Sequence, residues 1–431
     1  MTLFLDLIGF SIIFPLFPAM LEYYSVHESS GGLFAAFYGA LIHVTQAMGI
    51  EENHWGIIVL FGGVLGSLYS LLQFLGTPLF GAISDRVGRK PVLIFSLCGI
   101  LISYFMWFFA GNFALLVVAR LLGGIMSSNI STATAIVADV TPTNERSKGM
   151  AIVGIAFGLG FILGPALGGI TSLVDLTTLY PGLAAFGVNP FSMPAAVAIV
   201  LTLFNLAYVY FKLPETRTFD GGNQTQRTMN PFSLLRTVDY PGVTRTNMTY
   251  FLFLLAFSGM EFSLTFLAHE RLEYGPGQNA LMFLFVGFIL AGIQGGYVRR
   301  KSETIGPRRM TLQGLIMVVP ALMLVGLAGY FRSSIVLYMG LFLLAAGSAQ
   351  ATPCLTALVS MYTPAEEQGR VLGIFRSLGA LARALGPLVA AALYWWIGPT
   401  ITYLLGGLFI LVPLTMALRL PATEAPETVE A

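Results

Sequence analysis

The sequence predicts an all-α integral membrane fold of twelve transmembrane helices in two six-helix bundles, and three observations predict it. Hydrophobic residues make up 56% of the 431 and charged residues only 10%, against about 25% charged in soluble domains. Twelve apolar runs approach or exceed the ~20 residues that cross about 30 Å of hydrocarbon as a helix. The basic residues gather in alternate loops.

Span 1, near 2–21, opens with "TLFLDLIGFSIIFPLFPAML". It has no basic leader and no small-residue cleavage site, so it reads as a span and not a signal peptide. Spans 2 to 6 fall near 57–80, 92–110, 113–138, 149–173 and 193–213, and spans 7 to 12 near 248–268, 279–297, 310–330, 335–360, 371–394 and 400–418. The expected organisation is therefore a first bundle over 1–213, a polar linker over 214–247, a second bundle over 248–418 and a tail over 419–431. With a cytoplasmic N-terminus, 17 of the 22 Lys and Arg lie in inner loops, while only Arg271 and Arg332 lie in outer ones. That asymmetry puts both termini in the cytoplasm. A plasma membrane and an internal one, the nuclear envelope included, fit equally.

A faint internal repeat links the bundles. "GAISDRVGRK" after span 2 is echoed by "GGYVRRKSETIGPRR" after span 8, and "LGPALGG" in span 5 by "LGPLVAA" in span 11. Two repeated bundles around a central path form transporter architecture.

Several classes are excluded. A net charge of +1 offers no surface for nucleic acid, and no G-x-x-x-x-G-K-[ST] run serves a nucleotide. Cys98 and Cys354 fall in apolar segments, which suggests neither a disulfide framework nor a thiolate metal site. His27, His43, His54 and His269 lack metal-ligand spacing and read as solvated residues of outer loops. No cofactor and no metal are expected. No set of nucleophile, acid and base indicates an enzyme.

The chain resembles the tetracycline-transporter-like drug:proton antiporter branch of the major facilitator superfamily. The pieces are "LDLIGFSIIFPLFP", "GAISDRVGRKP", "ARLLGGIMSSNISTATAIVADVTP", "GIAFGLGFILGPALGG", "LPET" and "RSLGALARALGPLVAA", in that order and nearly end to end. The resemblance implies the major facilitator fold and a small organic substrate, with protons as co-substrate. Its animal members imply organic anions and drugs. A monomer in the lipid bilayer is expected. A receptor or scaffold that kept the fold is the competing class, and deep charges argue against it.

The resemblance also implies roles in the span 2 loop. Gly81 would let the end of span 2 approach its neighbour, Gly88 would permit the turn, and Asp85 would cap the N-terminus of span 11. Arg86 and Arg89 would pair with acids on neighbouring helices, Asp139 first among them, to make a conformational latch. In span 5, Gly160, Gly164 and Gly168 lie at four-residue intervals around Pro165. Span 8 carries Gly287, Ala291 and Gly295 at the same spacing, so the two spans would form a hinge and sliding contact between the bundles.

The intramembrane charges are Asp6, Arg120, Glu261, Arg376 and Arg383, each costing at least ~2.5 kcal/mol at the bilayer centre unless paired or hydrated. At 1.5 Å per residue, Arg383 lies about 18 Å and Glu261 about 20 Å from the inner surface, so depth permits them to pair. Arg376 is shallow enough to snorkel. Asp6 lies too near the inner end to reach Arg120, and the resemblance implies a longer span 1 that would raise it. Arg120 matches the branch's helix 4 arginine, associated with proton coupling, although Gly123 replaces the usual Gln. Arg383, Glu261, Arg120, Asn129 and Gln294 are the expected substrate-binding residues. Asp6, Glu261 and Arg120 are the expected proton-coupling ones.

Overall fold

The computed structural model describes residues 1–28, 31–47, 54–141, 146–216, 240, 242–364 and 368–421. Among them every regular element is helical, and twelve helical segments are long and apolar enough to cross a membrane. The linker expected over 214–247 falls largely outside the described residues, as does the tail beyond residue 421.

Span 1 is not one rod. It runs Thr2–Ser11, tightens through a 3₁₀ turn at Phe14–Leu16, and resumes as Phe17–His27. Pro15 and Pro18 lack the N–H that would continue the ladder, which places the break there. Span 4 breaks similarly, as Phe113–Met126 and Ile130–Val140 joined by Ser127–Asn129. Span 2 is a single helix, His54–Val87, longer at both ends than its apolar run. Span 3 is Arg89–Phe108, span 5 Arg146–Thr171 and span 6 Ser192–Lys212. Spans 7, 8 and 9 are Val243–Leu272, Pro276–Ser302 and Pro307–Phe331. Spans 10, 11 and 12 are Ser334–Met361, Gln368–Ile397 and Pro399–Leu418. A π-helical turn, Ile293–Val298, interrupts span 8 where Gly295 and Gly296 offer little side-chain packing.

The sequence reading left residues 22–56 without a helix of their own. The structure instead extends span 1 to His27 and adds a helix, Gly32–Ala47, between spans 1 and 2. Its Phe34 is buried against Phe61 of span 2 and Phe113 of span 4. This run is apolar but, at 16 residues, too short to cross a bilayer.

In the first half, spans 1 to 6, span 1 packs on span 5, and span 3 on spans 4 and 6. In the second half, span 7 packs on span 11, and span 9 on spans 10 and 12. The halves meet where span 5 lies on span 8 and span 2 on span 11. We call the end carrying the loop at Val87 and Gly88 proximal and the opposite end distal.

At the distal end the contact between halves is backbone-close. A Cβ on Gly169 of span 5 would stand 2.2 Å from the Ala280 Cβ and 2.6 Å from the Pro276 carbonyl of span 8. One on Gly63 of span 2 would stand 2.3 Å from the Ala391 Cβ of span 11. Asn279 of span 8 adds a hydrogen bond from Nδ2 to the Pro15 carbonyl, 3.5 Å away at the break in span 1. The antiparallel register that joins Gly63 to Ala391 would bring Gly81 against Gly373 at the proximal end. There, however, Gly81 meets only Ser131 of its own half at 3.7 Å, and Gly373 has nothing within 4 Å. Among the described residues, the backbone-close contacts between the halves at these positions are distal.

This packing corrects the reading of span 5. Gly160, Gly164 and Gly168 do not face span 8; they face span 1 of the same half. Cβ atoms there would meet Leu7 at 2.5 Å, the Ser11 hydroxyl at 1.9 Å and the Ile12 carbonyl at 1.9 Å. Pro165 is buried between Gly164 and Ala166 in the same helix. The face toward span 8 is the adjacent one, with Gly169. Spacing of four revealed a close-packed face without saying which neighbour fills it. Of the matching residues on span 8, Gly295 has nothing within 4 Å of a Cβ position.

Candidate functional site

Midway through the bundle both halves line one cavity of about 40 Å³. The first half contributes Phe10, Phe14, Phe17, Gly66, Ser70 and Arg120. The second contributes Ser258, Glu261, Phe262, Arg383 and Pro387. The aromatic residues come from the broken part of span 1 and from span 7. Their rings interlock across the halves, with Phe17 and Phe262 centroids 6.2 Å apart. Pockets that hold drug-sized molecules measure about 300–1,000 Å³. This cavity in its present form has room for water-sized contents.

Arg383 and Glu261, expected at matching depth, do line this cavity and interact electrostatically. Arg383 is also within hydrogen-bond reach of the Tyr250 hydroxyl, and Tyr250 stacks on Phe375 at 3.9 Å. Arg120 is 5% exposed and places its guanidinium carbon 4.2 Å from the Tyr69 ring centre. Its Nε has no hydrogen-bond partner among the described residues. A guanidinium held this way keeps its charge available to the cavity.

Asp6 is placed elsewhere. Its carboxylate accepts from Asn129 Nδ2 at 2.8 Å and from Asn205 Nδ2 at 2.9 Å, a clasp of spans 1, 4 and 6. Asn129 is therefore not a cavity donor in this arrangement; its amide is on Asp6 and the residue is fully buried. Asn205 was missed because a lone Asn in an apolar run does not announce its partner. Gln294 sits in the π-helical turn of span 8, outside the cavity lining. Among the described residues no cluster of three or more His, Cys, Asp or Glu could hold a metal ion.

The proximal loop forms a second site, a charge network within the first half. Gly88 has φ +111, a conformation that favours glycine, and so makes the turn between spans 2 and 3. Arg89, 3% exposed, places Nη1 2.6 Å from Asp85 and Nε 3.0 Å from Asp139, and donates to the Ser84 hydroxyl at 2.7 Å. Arg86, by contrast, is exposed and makes no ion pair among the described residues. Glu215, in the "LPET" run, supplies a contact that sequence reading missed. Its two oxygens accept from the Arg89 N–H at 2.9 Å and the Lys90 N–H at 3.0 Å, capping span 3. The start of span 11, to which the resemblance assigns Asp85, lies at residues 365–370, outside the described side chains.

His27, His43 and His54 are exposed, as expected of solvated histidines, but all four histidines lie in helices and not in loops, and His269 is half-buried. His27 stacks on Tyr23 with centroids 4.0 Å apart, and the Tyr38 hydroxyl lies 2.6 Å from His54 Nδ1. His269 is helical and engaged with both halves.

Twelve spans, a twofold arrangement and a charged cavity shared between halves define a membrane transporter. The model of the Major Facilitator Superfamily matches residues 1–387 and 302–431, and the chain belongs to that superfamily. It is similar to human major facilitator superfamily domain-containing protein 10, with 37% identity covering 95% of this chain and 89% of that one. The crystal structure of that relative, described as the human organic anion transporter MFSD10 (TETRAN), superposes with a TM-score of 0.74 at 35% identity, covering 96% of this chain and 97% of that one. The class C tetracycline resistance protein of Escherichia coli is 25% identical, over 91% of this chain and 88% of its own length.

Proposed function

We propose that this protein is a secondary active transporter that carries small amphiphilic organic anions by alternating access, with residues 1–213 and 248–418 as the two moving units. The observation that carries this is the composition of the shared cavity: phenylalanines for an apolar body, and Arg120 and Arg383 against the single acid Glu261. Guanidinium groups fit carboxylate or phosphate bidentately. The description of the human relative as an organic anion transporter supports the same substrate class.

Arg383 is the main anion-binding group in this reading, with Glu261 facing it when the cavity is empty. An arriving anion takes over Arg383, and the displaced Glu261 accepts a proton, which links cargo to protons without using Asp6. The proximal end is cytoplasmic, on the distribution of Lys and Arg.

Uptake of a panel of radiolabelled organic anions into proteoliposomes, with and without a pH gradient, tests the function. Arg383→Lys tests the assignment. It keeps the charge and loses the fork, and should weaken anion affinity about tenfold or more with expression and folding unchanged. Near-normal affinity in that variant would leave Arg383 a structural role only.

A further inference from the structure

We propose that His269 and Glu22 form a proton-binding site at the distal end, and that a proton held there ties the two halves together. His269 lies on span 7 and Glu22 on span 1, so the contact crosses between halves. His269 Nε2 stands 3.5 Å from Glu22 Oε2, and the side chains are 23% and 52% exposed. Both therefore exchange protons with the distal solvent directly.

The tautomer makes the contact proton-dependent. Span 7 ends in a fixed cap: Glu273 takes a left-handed φ of +59, its N–H donates to the His269 carbonyl, and the Tyr274 N–H donates to the Ala268 carbonyl, both at 3.1 Å. This turn brings the Tyr274 carbonyl to 2.9 Å from His269 Nδ1. A carbonyl only accepts, so Nδ1 carries the hydrogen. In the neutral ring, Nε2 then presents a lone pair to the Glu22 carboxylate, acceptor against acceptor. Protonation at Nε2 supplies both the donor and the positive charge, and only then is the contact attractive. Trp55 of span 2, with ring centres 5.0 Å apart, holds the imidazole in place from the first half.

Of the other titratable groups around this point, most have partners of their own, and the Glu273 side chain is exposed. On the same helix, Glu270 pairs with Arg271 at 3.3 Å and accepts from the Tyr394 hydroxyl of span 11. Glu273 is the left-handed cap residue itself. On span 1, His27 Nδ1 lies 2.8 Å from the Tyr23 carbonyl; next to Trp55, His54 lies against Tyr38. Glu22 is the carboxylate in contact with His269 among the described residues.

Outer ends that separate during alternating access must break this contact. The distally closed state therefore binds the proton more tightly than the open one, and acid favours closure. The consequence for transport rests on the alternating-access reading, but the site itself does not.

The full chain in lipid nanodiscs, spin-labelled at V26C and Y330C in a C98S background, reports the distal separation by electron–electron double resonance. Between about pH 8 and about pH 5.5, the closed-to-open ratio should rise about two- to fivefold, as expected of a half-exposed ion pair. H269Q and E22Q, both near-isosteric, should each remove most of that rise, while H54Q and H27Q retain it. A ratio that does not change with pH in the unsubstituted chain, or a full response in H269Q or E22Q, would overturn the site. Absent uptake of organic anions alongside an intact pH response would count against the proposed function alone.

Discussion

The two ends of the bundle use charge differently. At the proximal end Asp85, Arg89 and Asp139 are all within the first half, Glu215 follows directly at its end, and Arg89 at their centre is 3% exposed. At the distal end the polar contacts of Asn279 with Pro15 and of His269 with Glu22 run from one half to the other. A network gathered on one buried guanidinium, with its carboxylates partly exposed, suits a unit that stays rigid. On the alternating-access reading, a half-exposed contact such as that of His269 with Glu22 suits a seam that opens. The difference yields a rule that can be tested: proximal changes should lower stability, and distal changes should redistribute conformations.

The largest effect should come from Arg89→Ala. It leaves two carboxylates without their base and should destabilise the protein by about 3 kcal/mol, seen as a lower melting temperature in detergent. A variant that melts normally would remove the network's structural role. Next come two adjacent glycines. Gly168→Ala drives a methyl into the Ile12 carbonyl of its own half, and should destabilise the fold by about 1–3 kcal/mol. Gly169→Ala drives one into span 8, and should open the distal seam by about tenfold, read as accessibility of cysteines introduced at the distal end. Exchanged outcomes for this pair would reverse the assignment of the two faces.

Asp85→Asn should be milder, about 1 kcal/mol, because Arg89 keeps Asp139. Turnover should fall more than substrate affinity, since the cavity is untouched; equal losses would speak against a conformational role. The smallest effect, about 0.5–1 kcal/mol, is expected for Glu215→Gln, which keeps one acceptor for span 3 but loses the charge at its N-terminus. Thermal unfolding of that variant beside Arg89→Ala would show how much of the proximal network is capping.

Much of this architecture is written in one dimension. Span lengths follow from the match between apolar runs and bilayer thickness, and the twelve-helix fold follows with them. Depth along a helix is also linear, which is why Arg383 and Glu261 could be placed at one level from their distances to the ends of their spans. Rotation about each helix axis is not linear. It depends on which distant side chains fill the space beside it, so the row Gly160, Gly164 and Gly168 could be recognised as close-packed while its partner, span 1, could not. The same holds for Asp6, whose two amide donors come from residues 123 and 199 positions away. Glu215 and His269 were legible only as a loop acid and a loop histidine. What turns one into a helix cap and the other into a bridge between halves is the convergence of helix ends in space, and in His269 the carbonyl that fixes its proton. The sequence by itself determined how many helices cross, how deep each charge lies and which end is basic; packing decided which faces meet and which charges find a partner.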